Sequence, residues 1–139
     1  MLDTNCKTPV DSLVVNDAAK TLIIAGEKCD KKFGDNVEVI LCDTDDDGLI
    51  DLEKLLDILY NKGINKLMVE GGGTVIWIFL KSGFVDDFYI YVGPMIIGGK
   101  NTPTISGVNG LDIKNINLIK LIETKAIGPG MLLHYKLIK

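Results

Sequence analysis

Arginine is absent from this sequence: all 15 basic residues are lysine, set against 19 acidic ones, and the net charge is −4. A nucleic-acid binder shows the opposite balance, a basic excess with arginine at bases and phosphates, so that class is set aside. Any anionic ligand has to be held by lysines, backbone N–H groups or helix N-termini. Histidine occurs once, as His134, and the three cysteines (Cys6, Cys29, Cys42) form no CxxC pair. That is too small a donor set for a Cys/His zinc site, and no metal is expected. The odd cysteine count reads as reduced thiols. No apolar run approaches the ~20 residues of a membrane span, and no charged start leads into an apolar stretch as in a signal peptide. The expectation is a soluble, cytoplasmic protein with neither membrane nor nucleic acid as partner.

What is present suits a packed core. At 139 residues and 47 % hydrophobic content, the chain reads as a single domain spanning 1–139. A chain of this size buries roughly two-thirds of the surface it exposes when unfolded. Thr21 to Ala25 (TLIIA) and Val37 to Cys42 (VEVILC) are apolar runs between turn residues, and read as strands. Cys29 to Gly34 between them is a short helix or loop. Asp51 to Lys62 carries Leu52, Leu55, Leu56 and Leu59 at i, i+3, i+4 and i+7, one face of a helix that Asp51 caps and Gly63 ends. Lys66 to Val69 (KLMV) reads as a third strand, and a second helix from about Thr74 to Ser82 is apolar nearly all round, which predicts a buried one. Asp87 to Val92 reads as a strand. Asn117 to Ala126 and Met131 to Ile138 read as a closing hairpin about the turn Ile127-Gly128-Pro129-Gly130. Strands alternating with helices before a hairpin indicate an α/β fold with a sheet of mixed direction.

The run Glu70 to Thr74 (EGGGT), set between an apolar strand and a helix, is the main chemical signal. Glycines there let backbone approach a ligand closely, and the free N–H groups of the following helix favour an anion. The run matches neither GxGxxG nor a Walker loop. On its spacing it supports either a phosphate cradle or a tight strand-to-helix turn. Asp43 to Lys54 (DTDDDGLIDLEK) imitates half a calcium loop, but Lys54 occupies the place of the twelfth, bidentate carboxylate and a strand precedes it, so a solvated acidic loop is expected. Asp86 and Asp87 point to opposite strand faces and read as capping residues. His134 reads as a satisfied or edge histidine, and Ser12, Ser82 and Ser106 lie in no nucleophile-elbow pattern.

Leu67 to Thr74 (LMVEGGGT), Gly83 to Asp87 (GFVDD) and Gly93 to Gly99 (GPMIIGG), with Asp51 to Leu56 (DLEKLL) and Asp3 to Pro9 (DTNCKTP) in the same order, resemble the riboflavin-biosynthesis reductase family. That family includes the reductase half of the bifunctional deaminase/reductase and the stand-alone archaeal diaminopyrimidine reductase. The resemblance covers nearly the whole chain. It implies a dihydrofolate-reductase-like fold, a mixed sheet flanked by helices, in a homodimer. It also implies reduction of a ribosylaminopyrimidine 5′-phosphate to its ribitylamino form with NADPH, NADH remaining open. By the same resemblance Glu70 contacts substrate, while Thr4, Gly72, Gly73, Thr74, Val75 and Ile76 contact the cofactor; no catalytic proton donor is assigned. Thr4 replaces the family's usual serine and keeps the hydroxyl, whereas Lys7 stands where arginine is common. The family's S-x-D-G and G-x-x-T-V-x-x-D-D-P segments do not occur here. The expectation is therefore an N-terminally incomplete reductase domain, with little activity alone and a tendency to self-associate. The alternative is a catalytically silent nucleotide-binding or dimerisation module of the same fold.

Overall fold

Parallel pairing of the first two apolar runs organises the N-terminal part of the chain. The computed structural model describes residues 1–99 and 118–138, and the chain divides into two units, Met1–Leu67 and Met68–Lys139. In the first unit, β1 (Thr21–Ala25) pairs in parallel with β2 (Val37–Leu41), from Thr21 opposite Val37 to Ala25 opposite Leu41. Ile23, Ile24 and Ala25 are buried, as expected for a parallel strand, which reads as a continuous apolar run. Residues 1–4 run alongside β1: the Met1 ammonium donates to the Leu22 carbonyl and the Asp3 N–H to that of Ile24. The connection 26–36 is a loop, one of the two forms expected for it.

α1 (Leu52–Asn61) starts at Asp51, whose carboxylate accepts the Lys54 N–H at 3.2 Å. Its apolar stripe buries Leu52, Leu55 and Leu59. It stops at Gly63, which adopts φ 83°. The Gly63 N–H donates to the Tyr60 carbonyl and the Ile64 N–H to that of Leu59, the paired bonds of a Schellman end.

In the second unit, α2 (Gly73–Lys81) ends the same way, with Gly83 at φ 72° and the Phe84 N–H donating to the Phe79 carbonyl. β3 (Asp87–Val92), β4 (Ile119–Ile127) and β5 (Gly130–Leu137) form an antiparallel sheet in the order β3-β5-β4. The hairpin turns at Gly128, whose φ of 55° belongs to the mirror-image turns that match strand twist. Gly130 lies so close to Tyr91 and the Val92 carbonyl that a Cβ there would overlap both.

Three expectations are corrected. Lys66 to Val69 forms no strand and joins neither sheet, and Leu67 and Met68 are exposed; its composition suits a strand, but no partner among the described residues completes a ladder. α2 is only half-buried, with Phe79 and Leu80 alone among its residues in the core. Cys6 and Cys29 are not separate thiols: they are joined as a disulfide with their Cα atoms 5.6 Å apart, and Cys42 alone is free. The chain brings them together at the carboxyl end of β1, a proximity that no local spacing announces. Ser106, Asn117 and the stretch between them lie outside the described residues.

Candidate functional site

The carboxyl ends of parallel strands are where open α/β sheets gather ligand-binding residues. At the carboxyl end of β1, the Gly26 N–H donates to the Thr4 carbonyl at 2.9 Å. A Cβ at Gly26 would overlap the side-chain methyls of Thr44 and Thr4, so glycine is what lets these two threonines converge. Thr44 follows β2 and bridges to Ile50. The sequence reading passed it over because it lies inside the acidic loop; a glycine directly after a strand was the available signal.

Asp3 shapes the Thr4 loop. Its carboxylate accepts the Lys7 and Thr8 N–H groups, each at 2.8 Å. Burial pushes the Asp3 carboxyl up, but hydrogen bonds from Thr8 and Lys7 and the nearby Lys31 charge outweigh it, and the net shift is downward. Lys7 is exposed.

Glu70 to Ile76 lies in the second unit. Gly72 is the N-cap of α2 and, having no side chain, makes no cap hydrogen bond. The first intrahelical bond runs from the Ile76 N–H to the Gly72 carbonyl at 3.2 Å, so helix geometry leaves the amides of Gly73, Thr74 and Val75 open. α1 differs, because its own Asp51 fills that place. The three glycines do different work. A Cβ at Gly71 would sit 3.0 Å from the Val75 Cβ, whereas at Gly72 it would meet nothing within 4 Å. Gly71 therefore packs the turn, and Gly72 keeps open the space before the helix. An anionic phosphate fits there: donors point outward, the positive end of the helix dipole lies behind them, and no carboxylate cap competes. Glu70 and Thr74 are exposed, with Val75 and Ile76 half-buried. Thr4 lies in the first unit and Glu70 to Ile76 in the second, each placed by its own local geometry.

Several of the other polar groups have local partners. Lys54 Nζ sits 2.6 Å from Asp43 Oδ2, which puts an ammonium on the first carboxylate of the calcium-like loop and holds the Asp43 carboxyl below its ordinary range. Asp45 accepts the Asp47 and Leu49 N–H groups. His134 is satisfied, with Nε2 2.7 Å from Asp87 Oδ1 and its ring stacked on Tyr89. Asp87 is thus a cross-strand partner and not the expected cap. Ser12 donates to the Pro9 carbonyl and Ser82 is the C-cap of α2. No helix among the described residues is long and apolar enough to cross a membrane.

The family model of the RibD C-terminal domain matches residues 1–133. This chain belongs to the RibD C-terminal domain family. It is 36 % identical over 109 residues to the 2,5-diamino-6-ribosylamino-4(3H)-pyrimidinone 5′-phosphate reductase of Archaeoglobus fulgidus, covering 76 % of this chain and 48 % of that protein. It is 32 % identical to the Aquifex aeolicus protein of the same name, covering 97 % of this chain and 62 % of the relative. The chain thus spans roughly half to three-fifths of these curated relatives. Among solved structures, a Thermotoga maritima deaminase/5-amino-6-(5-phosphoribosylamino)uracil reductase gives a TM-score of 0.80 at 21 % identity, over 99 % of this chain and 36 % of that one. The riboflavin-biosynthesis reductase Rib7 of Saccharomyces cerevisiae gives 0.73 at 24 %, over 99 % of this chain and 68 % of that one. The fold is the one the resemblance implied, the α/β dihydrofolate-reductase-like architecture of the RibD reductase domain, with parallel and antiparallel strands and, among the described residues, two α-helices. The family is one of oxidoreductases in riboflavin biosynthesis.

Proposed function

We propose that the chain, as part of a single dihydrofolate-reductase-like domain, reduces a ribosylaminopyrimidine 5′-phosphate to its ribitylamino form with NADPH, as a cytoplasmic homodimer. The observation that carries this reading is the uncapped N-terminus of α2 behind the open Gly72, in a chain whose relatives are named for that reduction. The amides of Gly73, Thr74 and Val75 hold the dinucleotide phosphates, Ile76 continues the segment that wraps them, and the Thr74 hydroxyl adds a hydrogen bond; Thr4, carried over by the resemblance, offers the cofactor a hydroxyl of its own. Glu70, at the start of the turn, contacts the substrate. When bound, NADPH supplies the hydride that the C1′ carbon of the open-chain imine accepts, while the imine nitrogen takes up a proton and stays bonded to the pyrimidine. Because the chain has no arginine, phosphate recognition rests on backbone amides and lysine.

Substrate-dependent oxidation of the reduced nicotinamide, faster with NADPH than with NADH, tests the activity. Binding of NADPH without turnover would favour the second reading, a silent nucleotide-binding or dimerisation module. Gly72→Val tests the cradle. A Cβ there meets nothing within 4 Å in the protein, so the thermal midpoint should fall only by the modest cost of valine at an N-cap. NADPH affinity should fall about tenfold or more, the loss of roughly one charge-assisted hydrogen bond. An unchanged NADPH titration would sink the assignment.

A further inference from the structure

We propose that Cys6 and Cys29 form a redox-sensitive tie that holds the Thr4 loop in its observed conformation. The two residues are 23 positions apart in sequence, yet their Cα atoms lie 5.6 Å apart, within the span a disulfide bridges. Cys6 is buried and has a left-handed backbone, φ 48°, the one non-glycine residue with positive φ among the described residues. Such a conformation persists only where its surroundings hold it. Here the Cys6 N–H donates to the Asp3 carbonyl at 2.8 Å, and the Asp3 carboxylate gathers the Lys7 and Thr8 amides. Two non-covalent links join the same segments: the Gly26 N–H donates to the Thr4 carbonyl at 2.9 Å and Lys31 Nζ to the Thr8 carbonyl at 2.7 Å. Cutting the covalent link leaves the strained Cys6 held from the far side through these two hydrogen bonds on either side of it.

The pair is placed for exchange. Cys29 is half-exposed; Lys28, Lys31 and Lys32 flank it and Lys7 adjoins Cys6, and although Asp30 pairs with Lys28 at 2.7 Å and Glu27 precedes it, the segment keeps an excess of cations in a chain of net charge −4. That setting draws a small anionic disulfide as oxidant. The Cys29 thiolate attacks one sulfur of that disulfide, forming a mixed disulfide and releasing one small thiol. The Cys6 thiolate then attacks the Cys29 sulfur, closing the bridge and releasing the second. Two electrons pass from the cysteines to the small disulfide, and the two cysteine protons end on the released thiols. A dithiol reverses both steps. In reducing compartments, disulfides are chiefly transient bonds of this kind. Cys42 takes no part; it is buried and donates to the Asp51 carbonyl at 3.7 Å.

The effect on cofactor rests on the nucleotide-site reading above: with the tie open, the Thr4 loop loosens and NADPH binds about fivefold more weakly, because the loop must be ordered on binding. The full chain, equilibrated in glutathione buffers of graded redox ratio, is quenched, unfolded and alkylated for mass spectrometry. One free thiol, Cys42, is expected at the oxidising end and all three at the reducing end, reversibly. The amides of Lys7 and Thr8 should exchange hydrogen about tenfold faster in the reduced form. Cys29→Ser should match the reduced form in every buffer, and Cys42→Ser should behave as the parent. Three free thiols throughout, a bridge to Cys42, or equal exchange in the two forms would overturn the proposal. So would equal NADPH affinity in the two forms. An absence of NADPH binding in both would overturn the nucleotide-site reading instead, with thiol counts and exchange deciding the tie.

Discussion

Single residues in this chain separate packing from ligand roles where the sequence shows only a run of glycines. At Gly71 an added methyl would stand 3.0 Å from the Val75 Cβ, and a β-branched neighbour on a helix has little rotamer freedom with which to yield. Overpacking costs about 1–3 kcal/mol, and the entropy that alanine removes from the unfolded chain returns about 0.4–1 kcal/mol. Gly71→Ala should therefore lose about 1 kcal/mol in urea denaturation, while Gly72→Ala, with open space around it, should lose none to packing. Equal denaturation midpoints for the two would mean that the turn does not hold this geometry. Asp3 makes a pH-dependent counterpart. Its carboxyl is depressed in the folded chain, so its contribution is complete above the ordinary carboxylate value of about 4 and is lost as pH falls through the lower folded value. Amide exchange at Lys7 and Thr8, compared with that of a β1 amide to remove the intrinsic pH effect, should lose protection across that acid window. Asp3→Asn should show the loss already at neutral pH.

At the scale of elements, the two helices share one ending and differ in how they begin. Both close on a glycine of positive φ, Gly63 and Gly83, but only α1 carries its own cap. Asp51→Ala should cost about 1 kcal/mol, the usual worth of such a cap, read as a lowered urea midpoint with the slope unchanged. What was legible follows the same division. α1 could be read because Leu52, Leu55 and Leu59 repeat at the helical period and both ends carry a local signal. β1 and β3 matched residue for residue, and the hairpin within two residues, because apolar runs and turn chemistry are local. Lys66 to Val69 misled because strand composition is local while a ladder needs a partner. Half-burial of α2 depended on how much neighbouring structure reaches an all-apolar helix, which periodicity does not report. In the candidate site, the glycine run marked the helix start, but the division of labour between Gly71 and Gly72 needed the position of Val75. The convergence of Thr4 and Thr44 on Gly26, like the meeting of Cys6 and Cys29, is a tertiary event with no short motif behind it.

At the scale of the whole molecule, the antiparallel sheet bears on the proposed homodimer. Among the described residues β4 pairs with β5 on one side only, as the sheet order β3-β5-β4 gives, and it is exposed along its full length. Ile119, Leu121, Ile122 and Ile127 all stand at the surface. An edge of this kind is normally blunted by lysines or bulges. Here Lys120 and Lys125 interrupt the apolar residues and the register slips between Leu121 and Glu123, so the strand is guarded against open-ended addition while keeping apolar surface to cover. A fully buried aliphatic side chain is worth about 1.5–3 kcal/mol. Partial cover of these four residues on each of two copies, at about 1 kcal/mol apiece, totals about 8 kcal/mol and falls inside the ~4–15 kcal/mol that association costs. The pair should accordingly be reversible, with further apolar or polar contacts setting its strength. Sedimentation velocity over a concentration series should show a monomer–dimer equilibrium. Leu121→Asp should shift it at least tenfold toward monomer, because each charge placed in the interface must be desolvated without a partner. Thr124→Ser, on the same strand without added charge, should leave it in place. A parent chain that remains monomeric across the series, or dimers equally strong in Leu121→Asp, would remove β4 from the interface and with it the structural argument for the homodimer.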